Sequence, residues 1–140
     1  MDYPLLFKIV NAMVLPAWII MFFFPKLTWR NQFVYALALV LGLSYAILLS
    51  TSLGDIDFQG FTELQSLKAM FTSDKAVLTG WVHYLVFDML IGNWVLNNSQ
   101  KYGIKHVIIV PCLLCCFMLG PIGYVLYTIV KLVKVKDLRD

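Results

Sequence analysis

His83 and Asp88 are residues of the types that do acid–base chemistry, set in the otherwise apolar stretch GWVHYLVFDMLIGNW, Gly80 to Trp94. An imidazole gives or takes a proton near neutral pH, and a carboxyl group kept from water is a natural partner in proton transfer. Five residues apart, they lie about 140° apart around a helix, so they form no i, i+4 pair. Trp81, Tyr84, Asp88, Gly92 and Val95 fall on one face, and His83, Val86, Phe87, Leu90 and Trp94 on the opposite broad side. An ionisable group left in hydrocarbon costs on the order of 3 kcal/mol or more. Both groups therefore avoid lipid only if this helix is packed on two sides.

The elements that must supply that packing follow from composition. Of 140 residues, 61% are hydrophobic and 14% charged, against roughly half and a quarter in soluble domains. A net charge of +3 without a Lys/Arg block sets nucleic acid aside as a partner. Four apolar runs, about 5–24, 33–53, 76–96 and 107–130, are each near the roughly 20 residues that cross a bilayer. The fold class predicted is an all-α integral membrane protein, a single domain made of a four-transmembrane-helix bundle. The first run reads as a retained span, because FFFPKLTW offers no small-residue cleavage site. With no transit-peptide-like leader ahead of it, the expected location is a bacterial inner membrane.

Between spans two and three, Phe61, Leu64, Leu67, Lys68 and Phe71 recur at helical spacing, which predicts a short amphipathic interfacial helix over about 61–72. Counting basic residues near span ends places Lys8, Lys68, Lys75, Lys131, Lys134, Lys136 and Arg139 on one side. Lys26, Arg30, Lys101 and Lys105 fall on the other, so both termini are expected in the cytoplasm.

Depth adds to the helical wheel. With alternating spans, His83 comes level with Asn11, with Ser44 and Tyr45, and with the GPIGY segment Gly120–Tyr124; Asp88 comes level with Cys115, Cys116 and Met118. Pro121 lacks a backbone donor and should kink the fourth span, freeing an acceptor for a side chain, water or ligand. Cys112, Cys115 and Cys116 read as buried, inert thiols, and no metal motif is present. Trp81 and Trp94 belong to an aromatic belt on the simplest reading.

The stretch from Ser66 to Tyr127 resembles the family that contains plant neoxanthin synthase, whose founder was named for abscisic-acid deficiency. The resemblance is carried by Trp81–Tyr84, Phe87–Asp88, Gly92, Trp94, Pro111–Cys112, Gly120–Pro121 and Gly123. It implies a carotenoid or other terpenoid ligand and an isomerisation in which a 5,6-epoxide opens while a proton leaves the neighbouring polyene carbon. Such a reaction needs an acid and a base in a dry pocket and no cofactor. On that basis His83 and Asp88 are the candidate catalytic residues. Asn11, Tyr45, Trp81, Tyr84, Phe87, Trp94, Pro121 and Tyr124 are the candidate ligand-binding residues. Three functions stay open: a lipid-phase isomerase or lyase, a protein that binds a lipid pigment or a partner membrane protein, and a small ion carrier. Membrane lipid and a second copy of the chain are the other candidate partners.

Overall fold

The computed structural model describes residues 2–51 and 62–136, and these form six α-helices with no strand among them. They are α1 (Tyr3–Phe23), α2 (Arg30–Ser50), α3 (Leu64–Met70), α4 (Asp74–Lys101), α5 (His106–Leu119) and α6 (Pro121–Val135). Asp2 caps α1 by accepting from the Leu5 N–H at 3.0 Å, and Pro4 sits in the first turn, where a missing donor costs nothing. Ser73 caps α4 by accepting from Ala76 N–H at 3.2 Å. Asp74 in its first turn and Lys101 in its last complement the helix dipole.

The long helix α4 is the axis of the bundle and packs against α1, α2, α5 and α6. Because it is covered on several sides, it carries most of the buried polar residues described: Thr79, Asp88, Asn93, Asn98 and Ser99 are all buried on it. Helices α1 and α2 are long and apolar enough to cross a membrane. They keep large apolar side chains exposed, among them Leu5, Ile9 and Ile19 on α1 and Leu39, Leu43 and Ile47 on α2.

Contacts fix the directions. Along α1 Asn11 meets Trp81 and Trp18 meets Gly92, so α1 runs parallel to α4. Along α2 Asn31 meets Asn97 and Tyr45 meets His83, while Lys75 Nζ donates to Thr51 O at 2.8 Å, so α2 runs antiparallel. Helix α5 descends from His106, bonded to Phe22 O at 2.8 Å, to Met118, whose carbonyl meets Tyr84.

The single fourth span expected over 107–130 is instead two helices folded back on each other. Gly120 holds φ 47 and ψ −98, a positive-φ conformation that glycine tolerates best, and Pro121 starts a new helix rather than kinking an old one. Helix α6 then retraces α5: Gly123 packs so closely on the Cys112–Cys116 turn that a Cβ there would have no room. Trp94 stacks near Tyr124 and Tyr127, each at 5.6 Å, and Tyr127 donates to Asn98 Oδ1 at 2.5 Å. Lys131 Nζ lies 4.3 Å from the Tyr102 ring centre, which brings α6 back to the level where α4 ended. At 1.5 Å per residue, the 14 residues of α5 and 15 of α6 extend about 21 and 22 Å.

A helix, α3, stands within the stretch where an interfacial one was expected, but it is shorter, seven residues with none buried. Phe61 and the acidic residues Asp55 and Asp57 lie outside the described residues.

Candidate functional site

The break between α5 and α6 leaves the last carbonyls of one helix and the first amides of the other without helical partners, around the buried Gly120. Two side chains from one face of α4 meet them. Tyr84 donates its hydroxyl to Met118 O at 3.2 Å, serving the end of α5. Asp88, one turn further on, rests against Gly120: a Cβ at that glycine would lie 2.5 Å from Asp88 Oδ1. The carboxyl thus sits beside the N-terminus of α6, which has no side-chain cap and whose dipole favours negative charge. Asp88 is 8% exposed, its Oδ2 finds no hydrogen-bond partner among the described residues, and its side chain interacts with that of Tyr84.

On the other side of Tyr84 a groove of about 570 Å³ opens between α1, α4 and α5. Its floor and walls include Phe7, Ala12, Val14, Leu15, Leu85, Phe117 and Met118, with Lys8, Asn11, Trp81 and Tyr84 supplying the polar atoms. The rings of Phe7, Trp81 and Tyr84 form a continuous wall, with centroids 5.5 Å and then 5.2 Å apart. Trp81 Nε1 donates to Asn11 Oδ1 at 3.0 Å, and Asn11 Nδ2 donates to Phe7 O at 2.7 Å, so this edge of the groove is held rigid.

Of the residues singled out in the sequence, Asn11, Trp81 and Tyr84 therefore come together in the groove, with Asp88 buried behind Tyr84. His83 does not join them. It is exposed on the α2 side of α4, its ring 5.5 Å from Tyr45 and 4.6 Å from Phe87. Trp94 and Tyr124 pair with each other at 5.6 Å on the α6 side, and Pro121 serves as the first residue of α6. The expected depths are corrected as well: Gly120 stands beside Asp88, not His83, and Met118 beside Tyr84. The reason is that α6 turns back at the break instead of continuing past Tyr84, so the GPIGY segment runs from the level of Asp88 to that of Trp94. Cys112 and Cys116 are buried and Cys115 is partly so; no cluster of three metal-ligating side chains occurs among the described residues.

A polar knot at the far end of α4 was not foreseen. Arg30, 3% exposed, donates to Pro25 O, to Asn97 Oδ1 and, at 3.2 Å, to Asn31 Oδ1. Gln100 Nε2 donates to the same Pro25 carbonyl at 2.7 Å, and Asn97 Nδ2 to Asn31 Oδ1 at 3.1 Å. The signal available in the sequence was the Arg30–Asn31 pair facing Asn97–Asn98 across two helix ends.

A family model described as ABA4-like, ABA DEFICIENT 4-like, matches residues 5–127. No curated protein and no solved structure matches the chain.

Proposed function

The chain belongs to the ABA4-like family, and from that premise we propose that it is a membrane protein that takes one end of a lipid-soluble terpenoid into the groove of α1, α4 and α5 and isomerises it by proton transfer. The observation that carries this reading is the position of Tyr84, which lines the groove and touches the break where Asp88 is buried. A largely apolar slot walled by a hydroxyl, with a buried carboxyl behind that hydroxyl, suits an acid–base step on an apolar substrate. Along α1 the groove runs from Phe7 to Leu15, about 12 Å at 1.5 Å per residue, less than half the hydrocarbon thickness. It therefore holds an end group and a few carbons, and the rest of a long chain stays in lipid. Nothing in such a reaction calls for a dissolved cofactor.

The membrane arrangement in this proposal has three spans, α1, α2 and α4, and a re-entrant hairpin, α5–α6, whose tip reaches mid-depth. The apolar exposure of α1 and α2 supports it, since soluble proteins seldom present so much contiguous apolar surface. So does the length of α5 and α6, each about two-thirds of the hydrocarbon layer. Lys26, Arg30, Lys101, Lys105, Lys131, Lys134 and Lys136 then gather on one side and Lys8, Lys68 and Lys75 on the other. By the excess of basic residues, the end of α6 is cytoplasmic and the start of α1 is not. In a bacterium the membrane would be the inner one.

A second reading, a pigment-binding protein without catalysis, is favoured by one observation: Trp81, Asn11 and Tyr84 already satisfy one another or the backbone. The test is to express the chain in a host that makes 5,6-epoxy-carotenoids, chromatograph the pigments, and analyse what co-purifies with the protein. A new isomer supports catalysis. Unchanged pigment bound to the protein supports the binder, and the absence of both removes the role for carotenoids.

A further inference from the structure

We propose that Tyr84, rather than His83, is the group that moves the proton, with Asp88 acting through it as a positioning residue; this rests on the isomerase reading above. Three observations converge. Tyr84 contributes to the groove wall, whereas His83 faces away from the groove across α4. The Tyr84 hydroxyl is anchored to Met118 O at 3.2 Å, a bond long enough to be exchanged for a substrate oxygen. Asp88 is the enclosed residue of the pair, absent from the groove wall but in contact with Tyr84, with which it interacts.

The chemistry balances with these two side chains alone. As the epoxide opens, its carbon–oxygen bond breaks, the electron pair stays on oxygen, and that oxygen takes the proton of Tyr84. The C–H bond on the adjoining polyene carbon breaks, its electron pair becomes the new π bond of the allene, and the proton returns to the tyrosinate. One proton leaves the protein and one comes back, with no oxidant or reductant. A carboxylic acid at Asp88 donates a hydrogen bond to the tyrosinate while it lasts, from a side chain itself enclosed by the bundle. The positive end of α6 lies beside the same carboxyl and adds to this stabilisation.

The experiment uses the full chain in nanodiscs loaded with a 5,6-epoxy-carotenoid, with bound pigment and isomerised product measured separately. Tyr84→Phe should keep pigment uptake and lose turnover by about 100-fold or more, the usual contribution of a positioned acid–base group. Replacing Tyr84 with 3,5-difluorotyrosine, which keeps the shape and acidifies the phenol, should displace the pH–rate profile to lower pH; a purely structural tyrosine would leave it in place. Asp88→Asn should lower turnover with binding retained. An active wild type whose Tyr84→Phe variant turns over normally, or whose fluorotyrosine profile does not move, overturns the assignment and spares the isomerase reading. A wild type that isomerises no epoxide overturns both.

Discussion

Asp88 and Gly120 touch across the break that separates α5 from α6, close enough that a methyl group on the glycine would lie 2.5 Å from the carboxyl oxygen. The contact joins three consequences of one short sequence. Glycine supplies the positive φ, proline forbids the helix from continuing, and the carboxyl of α4 occupies the space that any other side chain would need. The chain reversal and the burial of the α4 carboxyl are thus fixed at the same place.

Gly120→Ala should be destabilising on two counts, the positive φ and the clash with Asp88. Strained backbone of this kind costs on the order of 1–3 kcal/mol. Combining it with Asp88→Ala should recover only the part due to the clash. Thermal unfolding in detergent, followed by near-UV circular dichroism, reads both, and an unchanged midpoint for Gly120→Ala would mean that the turn is not built this way.

The hairpin makes a topological forecast that a continuous fourth span contradicts. In a chain freed of its native cysteines, Lys105→Cys and Lys136→Cys should be labelled by an impermeant thiol reagent from the same side of the membrane. Lys68→Cys should be labelled from the other. Labelling of positions 105 and 136 from opposite faces would restore the four-span bundle.

Arg30 gathers carbonyl oxygens from the α1–α2 turn, α2 and α4 into one knot. Lysine has the charge but not the planar fork, so Arg30→Lys should lose most of the bridging. Leaving buried acceptors unmatched costs about 1–3 kcal/mol. A midpoint of thermal unfolding equal to wild type for Arg30→Lys would show that the knot contributes no stability.

Much of this was legible in the chain. The starts of α1 and α4 follow from Asp2 and Ser73 as caps, and the common face of Trp81, Tyr84 and Asp88 follows from helical period alone. A kink at Pro121 was expected to free an acceptor; the acceptor that Tyr84 meets, Met118 O, is freed by the end of α5 instead. The reversal at Gly120 was not legible, because a Gly-Pro pair inside an apolar run reads equally as a kink, and the choice is made by Asp88 and by the packing of Gly123 on α5. Arg30 was counted as a surface charge for the same kind of reason: its burial depends on Asn97, 67 residues away, which no local pattern reports. The separation of His83 from Asp88 by about 140° was legible as well; what was not is that the His83 edge of α4 is left exposed while Asp88 is enclosed.

That separation yields the last prediction. His83 lies between Tyr45 and Phe87 on the exposed side of α4, with no hydrogen bond joining it to Asp88. Groups that share no partner have additive effects, within about 0.3–0.5 kcal/mol. In a double-mutant cycle of His83→Gln and Asp88→Asn, the losses in stability should therefore sum, and His83→Gln alone should leave pigment uptake and turnover at wild-type levels. The cycle is read by thermal unfolding and by product chromatography on matched amounts of protein. A coupling well beyond the additive range would mean that a bound ligand or a movement of α4 links the two faces. Loss of turnover in His83→Gln with uptake intact would return the imidazole to the chemistry and take it away from Tyr84.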